Sequence, residues 1–348
     1  MSDAGWQASQ VDIDAILAAR HADPFAVLGP HATRSGVAIR AFVPHADTLS
    51  AIGPGAVIVP LEVRGHGFFE GLIGDPRKLP SYHLRAANAG GEWEFDDPYT
   101  FAPVLGATDD HLLVEGTHRK LYERLGAQLL THQGAAGVHF AVWAPNAQRV
   151  SVVGDFNRWD GRTHQMRKRI DSGLWEIFAP GLGAGTVYKF EIVGAGGSLL
   201  PLKADPFGFG AELRPSTASV VTRADDFVWN DADYLRRRAG ADARREPMST
   251  YEVHLGSWRR RDDGGFLSYD ELAAQLLPYV ADLGFTHIEL LPISEHPLDA
   301  SWGYQPIGLF APTARFADSN GAAAAGFARF VDAAHALGIG VILDWVPA

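Results

Sequence analysis

Over the first two-thirds of the chain, apolar and polar residues alternate in short runs broken by Gly, Pro and Asn, the period of half-buried β-strands. In 138–143, Val138, Phe140 and Val142 share one face. In 187–193, Val187, Lys189, Glu191 and Val193 alternate with Tyr188, Phe190 and Ile192. The pattern occurs twice. GVAIRAFVPHADTLSAIG at 36–53 aligns with GVHFAVWAPNAQRVSVVG at 137–154, offset by 101, with six of 18 positions identical. GFFE at 67–70 aligns with GLWE at 173–176 and YHLRAANAGG at 82–91 with YKFEIVGAGG at 188–197, both offset by 106; DPY at 97–99 aligns with DPF at 205–207, offset by 108. An order kept while the offset drifts describes two copies that differ in loop length. Strands at ~8–12-residue spacing predict an immunoglobulin-like antiparallel β-sandwich for each copy. The expected domains are 1–118 and 119–230, then a linker at 231–248 whose charged, Ala/Arg-rich sequence has room for short helices.

After Ser249 the period changes to strand, helix, strand. TYEVHLG at 250–256 reads as a strand, and SYDELAAQLLPYVADLG at 268–284 as a helix with Leu272, Leu276, Val280 and Leu283 on one face. Ser268 with Glu271 three residues on forms a capping box, and Gly284 suits the left-handed C-terminal position. FTHIELLPI at 285–293 is an apolar strand followed by a loop of about 30 residues. Phe327, Phe330, Val331, Ala334 and Leu337 then mark a second helix closed by Gly338, and IGVILD at 339–344 reads as a strand buried on both faces of a parallel sheet. The fold class predicted is multidomain β plus α/β. A doubly wound sheet and a (β/α)₈ barrel both fit 249–348, but no glycine-rich phosphate fingerprint follows a strand. His254, Glu295 and Asp344 at strand ends suit the C-terminal face of a barrel, of which three strands would be the beginning.

Composition narrows the function classes. With 30 Lys+Arg against 41 Asp+Glu the net charge is −11, which argues against nucleic acid as the main partner. The runs Arg236–Arg238, Arg244–Arg245 and Arg259–Arg261 read as solvated faces among acids. Zero cysteines exclude disulfides, thiolate metal sites and a cysteine nucleophile. The start MSDAGWQASQVDIDAILAARH carries acids where a secretory peptide needs bases, and no stretch approaches the ~20 apolar residues of a membrane span. A soluble, cytoplasmic protein without membrane attachment is expected.

The least generic stretch is DASWGYQPIGLFAPTARF at 299–316. Asp299, Trp302, Tyr304 and Gln305 combine a carboxylate, two flat apolar surfaces and an amide, the mixture that sugar rings need; an aromatic loop over a barrel rim is the structural alternative. Asp344 ends a strand where barrels carry site residues. His287 and Glu289 alternate on one strand face as half a metal site without a third ligand, so no metal is expected. Glu295–His296–Pro297 reads as loop. Gly154–Asp155–Phe156–Asn157–Arg158–Trp159 reads as a hairpin tip with an exposed indole, and Trp159 and Trp175 are either core or a glucan platform.

These residues resemble a known family. The doubled VWAPNA…VVGDFN.W segment is similar to the carbohydrate-binding sandwich preceding the catalytic barrel in α-amylase-superfamily enzymes. HADPFAVLGPH at 21–31, YEVHLGSWRR at 251–260, LGFTHIELLPISEHPLDASWGYQ at 283–305 and GVILDWVPA at 340–348 resemble the bacterial glycogen (1,4-α-glucan) branching enzymes. The resemblance runs from about residue 20 to the end. It implies cleavage of α-1,4-glucan chains and their transfer to α-1,6 branch points with retained configuration, which needs a carboxylate nucleophile and a carboxylic acid ~5–5.5 Å apart. By the resemblance both lie beyond residue 348, so this chain alone carries no catalytic residue and is expected to be inactive. Tyr304 matches the aromatic that stacks on the sugar at the cleavage subsite, and Asp344 an aspartate that supports the site. The family's usual turn departs here at 317–326, leaving the start of the second helix open. The resemblance further implies α-1,4-glucan (glycogen or amylose-like chains) as partner, no cofactor, and a monomer when complete. Its rivals are a debranching or trehalose-releasing hydrolase of the same superfamily and a non-catalytic glucan-binding module.

Overall fold

The computed structural model describes residues 5–74, 81–169, 171–223, 227–242, 244–317 and 323–347. The chain divides into two compact units, Met1–Lys203 and Ala204–Ala348.

The first unit opens with helix α1 (Gln10–Leu17), whose N-terminus is closed by the Ser9 hydroxyl accepting the Asp12 N–H. Seven strands follow: β1 (Gly29–Thr33), β2 (Gly36–Phe42), β3 (Thr48–Gly53), β4 (Val57–Gly65), β5 (Phe68–Ile73), β6 (His83–Asn88) and β7 (Gly91–Phe95). They form one antiparallel sheet in the order β1-β2-β5-β4-β3-β6-β7. β4 is long enough to serve both halves. Its residues 57–61 pair with β3 and 62–65 with β5, with a register shift between Val63 and Gly65. Phe68 and Phe69 are both buried although they point to opposite faces: Phe69 packs with Ile39, Leu49 and Leu84, and Phe68 with Ile13, Ile16 and Phe42. Helix α1 therefore covers the outer face of β2 and β5, at roughly 1.5–3 kcal/mol per buried large side chain.

After α2 (Ala107–Val114) come β8 (Gly126–His132), β9 (Ala135–Trp143), β10 (Arg149–Gly154), β11 (Arg167–Arg169), β12 (Leu174–Pro180) and β13 (Val187–Val193). One sheet has the order β11-β12-β9-β8, and β10 pairs with β13 in another. The repeat read from the sequence is present down to single residues. Ala41 pairs with Phe69 as Val142 pairs with Trp175, and Ser50 pairs with Arg85 as Ser151 pairs with Glu191. Each pairing is displaced by the same 101 and 106 positions as the sequence alignment. The copies differ at β4, which joins both halves of the first sheet.

Two buried carboxylates hold the unit's segments together. Glu176 accepts hydrogen bonds from the Val104 and Leu105 N–H groups, sits 3.1 Å from His139 Nε2 and pairs with Arg169 at 2.8 Å; Arg169 reaches on to Asp110 at the start of α2. The connector between the copies is thereby fastened to the second sheet. Glu70 does the same for the N-terminal segment, accepting the Ala8 N–H and pairing with Arg40 and Arg64. Between the copies, the Tyr99 hydroxyl donates to Thr163 C=O and accepts the Gln165 N–H, both at 3.0 Å.

The second unit contains β14 (Ser219–Val220), α3 (Ala232–Gly240), β15 (Thr250–Val253), α4 (Leu255–Trp258), α5 (Tyr269–Asp282), β16 (His287–Leu290), α6 (Ala323–Ala336) and β17 (Gly340–Leu343). Within this unit Phe207 stacks on Phe310 and Arg214 pairs with Asp299. Of the stretch read as a linker, Ala232–Gly240 folds as α3 and is tied down, with Asp231 on His335 and Tyr234 stacked on the His335 ring. β15, β16 and β17 form a three-stranded, all-parallel sheet in chain order.

α5 forms where its capping box predicts: the Ser268 hydroxyl accepts the Glu271 N–H, the Glu271 carboxylate accepts the Ser268 N–H, and Gly284 takes φ +80°. Leu272, Leu276 and Val280 enter a core with Ile288, Leu290, Phe330 and Ala334, whereas Leu283 and Leu337, placed on the apolar faces by spacing, lie past the last helical turns and are exposed. β17 is not buried on both faces as expected: Gly340 is buried, and Val341 and Ile342 are half-buried. It is the outer strand of the described sheet, and Leu343 is exposed. Of 317–326, residues 318–322 lie outside the described residues, and α6 is described from Ala323.

Candidate functional site

A parallel sheet brings the C-terminal ends of its strands to one edge, where loops can gather side chains from distant positions. In the second unit that edge carries His254 after β15, the 291–305 loop after β16, and Asp344 after β17. The Asp344 N–H donates to Leu290 C=O at 2.9 Å, which fixes its backbone against β16. The Tyr304 hydroxyl then donates to Asp344 Oδ2 at 2.5 Å, and this contact raises the phenol pKa above its ordinary value. The Trp302 ring stacks on His254, centroids 5.4 Å apart and planes 14° from parallel.

The loop owes its path to Gly303. It takes φ +93°, and a Cβ there would lie 2.2 Å from Pro292 C=O, so no other residue fits. Trp302 before it is also left-handed, at φ +55°. Beneath the loop, the Arg315 guanidinium is buried between two carboxylates: Nη1 donates to Glu295 Oε1 at 2.6 Å, while Nε and Nη2 donate to Asp299 Oδ1 at 2.8 and 2.7 Å. Glu295 also accepts from the Thr313 hydroxyl and the Ala314 N–H, and Arg214 reaches Asp299 Oδ2 at 2.6 Å. Burial alone would raise Asp299, but Arg315 and Arg214 outweigh it and hold the carboxyl below its usual range.

His254 and His296 line a small cavity of about 170 Å³ with Trp302, Asp299 and Arg315. Burial lowers both imidazole pKa values, with nearby cations adding to the effect. His296 Nδ1 lies 2.9 Å from Ser294 C=O, so it carries the proton and leaves Nε2 as an acceptor. The edge thus offers flat aromatic faces, a charged acceptor in Asp344 and uncharged imidazoles, a surface suited to a neutral polyhydroxylated ligand.

Tyr304, Trp302 and Asp344 come together here. Asp299 sits beside them, and its carboxylate is engaged by two arginines, which anchors the loop. Gln305 is exposed on the same loop. Trp175 is not a platform. It is 1% exposed, donates its indole N–H to Ala144 C=O and lies under Lys168, because its strand is buried on both faces. Trp159 is half-buried rather than exposed, with its indole N–H on Asp155 Oδ1. His287 Nδ1 lies 2.8 Å from Thr286 Oγ1, and among the described residues no group of three His, Cys, Asp or Glu is arranged to hold a metal.

Sequence reading passed over the Arg315–Glu295 pairing and Trp143. Arg315 and Glu295 lack a periodic signal, being 20 residues apart in irregular chain. Trp143 is 58% exposed with its N–H on Ser172 C=O; its signal was its place one residue past the inward Val142.

Residues 9–99 match the family described as alpha-1,4-glucan branching enzyme GlgB, N-terminal domain, and 124–208 match carbohydrate-binding module 48 (isoamylase N-terminal domain). A 1,4-alpha-glucan branching enzyme GlgB of Mesorhizobium japonicum is 57% identical over 97% of this chain and 45% of its own length. GlgB 1 of Rhizobium etli is 54% identical over 99% of this chain and 46% of its own, and GlgB of Agrobacterium fabrum 55% over 98% and 46%. A solved structure of a putative alpha amylase from Salmonella typhimurium aligns with 64% of this chain and 33% of that one at 26% identity, with a TM-score of 0.48, too low to assign a fold. No described helix is long and apolar enough to cross a membrane. The chain thus matches the N-terminal part of 1,4-alpha-glucan branching enzymes GlgB, at 54–57% identity, and spans about half the length of the curated relatives it matches.

Proposed function

We propose that this chain serves a 1,4-α-glucan branching enzyme, which cuts an α-1,4-linked chain and rejoins it through an α-1,6 bond by a retaining double displacement. The observation that carries the reading is the Tyr304–Asp344 pair at the C-terminal edge of a parallel sheet, in a chain 54–57% identical to GlgB enzymes. In this reading 249–348 contributes the first three strands of a (β/α)₈ barrel, and 1–118 and 119–230 are two immunoglobulin-like sandwiches, the second of carbohydrate-binding type. Tyr304 presents its ring to a glucose face, and its hydroxyl holds Asp344 in one orientation. Asp344 accepts hydrogen bonds from sugar hydroxyls, and Trp302 and Gln305 border the same subsite. The nucleophile and acid belong to the portion of the relatives that this chain does not cover. The protein acts as a cytoplasmic monomer on glycogen or amylose-like glucan and needs no cofactor, because the acetal is itself the donor.

The test is iodine staining of amylose incubated with the complete gene product. Branching shifts the iodine colour while reducing ends stay nearly constant. A parallel rise in reducing ends identifies a hydrolase, and no change in either sinks the enzymatic reading in favour of a glucan-binding module.

A further inference from the structure

A larger cavity is lined wholly by residues of the first unit. Its volume of about 670 Å³ falls in the ~300–1,000 Å³ range of small-molecule sites. One wall comes from β7 and the residues after it, with Trp93 half-buried and Asp96 exposed; the other comes from the second copy, with Phe156, Arg158 and His164. The cleft therefore sits at the junction of the two repeats.

Some of its polar groups are free to bind. Glu94 is occupied by Arg85 and His83, but Asp96 has no partner among the described residues. Arg158 is likewise without an ion pair among them, and it stands on a strained tip where it and Trp159 are both left-handed, at φ +57° and +60°. The His164 tautomer follows from its neighbour. Asn157 Oδ1 accepts the Gly154 N–H, so Asn157 Nδ2 is the group facing His164 Nδ1 at 3.2 Å, and Nδ1 must accept. The ring proton is then on Nε2, which has no partner among the described residues. Burial pushes the His164 pKa down to about 4, keeping the ring neutral. Phe156 is held edge-on against it, centroids 5.2 Å apart.

We propose that this cleft is a second α-glucan site, in which Trp93 and Phe156 take sugar faces, Arg158 and His164 Nε2–H donate to hydroxyls, and Asp96 accepts from them. One arginine offset by Asp96 and Glu94 leaves no positive excess, which disfavours a phosphate or nucleotide and suits a neutral polyol. The choice of α-glucan rests on the proposed branching activity.

The test is calorimetric titration of the full chain with maltoheptaose, using Trp93→Ala, Arg158→Ala and Tyr304→Ala. The cleft is supported if Trp93→Ala and Arg158→Ala each weaken binding by about tenfold at unchanged melting temperature, while Tyr304→Ala leaves that component in place. Arg158 is exposed, so its variant reads out binding even if Trp93→Ala disturbs folding. Unchanged affinity in Arg158→Ala and in folded Trp93→Ala overturns the cleft and leaves the branching reading intact. Failure of the wild-type chain to bind maltoheptaose, with a positive iodine assay, overturns the cleft alone; failure of both overturns the two together.

Discussion

Tyr304 and Asp344 lie 40 residues apart in sequence, yet the phenol hydroxyl donates to the Asp344 carboxylate at 2.5 Å. Tyr304 is 45% exposed and sits on no apolar face, so the contact orients groups rather than building core. In the complete enzyme, Tyr304→Ala is expected to lower kcat/KM by about ten- to a hundredfold, since a lost aromatic contact is worth on the order of 1–3 kcal/mol. Tyr304→Phe keeps the ring and loses one hydrogen bond of ~0.5–1.5 kcal/mol, so its loss should be smaller. Melting temperatures should barely move. A sharp drop in melting temperature with near-wild-type kcat/KM would make Tyr304 a packing residue.

Gly303→Ala should disturb both stability and the site. The left-handed φ costs a Cβ-bearing residue about 1–3 kcal/mol, and the clash with Pro292 C=O adds to it. Circular dichroism melts should show the loss, and kcat/KM should fall because Trp302 and Tyr304 flank the displaced residue. Wild-type values for both would show that the loop has an alternative path.

Removing Glu176 leaves His139 and two backbone N–H groups without their acceptor in buried surroundings, and leaves Arg169 with Asp110 alone. Glu176→Ala should destabilise the first unit by about 3–5 kcal/mol, a fall in melting temperature on the order of 10 °C. A shift of only a degree or two would show that the connector does not depend on this carboxylate.

Two buried acids of the first unit, Glu176 and Asp97, should leave opposite pH signatures. Burial alone would raise Glu176, but His139 and the Leu105 and Val104 N–H groups outweigh it and hold it below its usual 4.5. Its contribution is therefore present above the unfolded value and lost as pH falls through the lower folded one. Asp97 behaves the other way: burial pushes it up to about 6 from 3.8, so its contribution is present below about pH 4 and is lost as pH rises toward 6. Melting temperature against pH should be flatter for Glu176→Gln than for wild type below pH ~4.5, and flatter for Asp97→Asn between about pH 4 and 6. Parallel curves in either window would rule out that assignment.

Local signals carried the furthest. The Ser268–Glu271 capping box and the paired offsets of 101 and 106 are fully present in the sequence, because caps and strand register depend on near neighbours and on alternation. Burial was harder to read. Alternation cannot separate core from surface once a strand is covered on both faces, which is why Trp175 looked as available as Trp159. The Arg315 clamp was invisible for a different reason: its partners Glu295 and Asp299 lie 20 and 16 residues away in irregular chain, where no period links them. In the same way β4 shows no sign in sequence that it joins two halves of a sheet, since that depends on its length relative to both neighbours.

The Tyr99 hydroxyl does what a neighbouring strand would do. Residues 164–166 already bond to β10 on one side, through His164 C=O and the Met166 N–H. On the other side, Thr163 C=O and the Gln165 N–H form the pair that an additional strand would complete. A single oxygen from the first repeat occupies both. The first repeat thus works as an edge guard for the second, blocking the place where another chain could add by β-augmentation. A carbohydrate-binding repeat cut away from its partner would expose that open rung and could recruit a copy of itself.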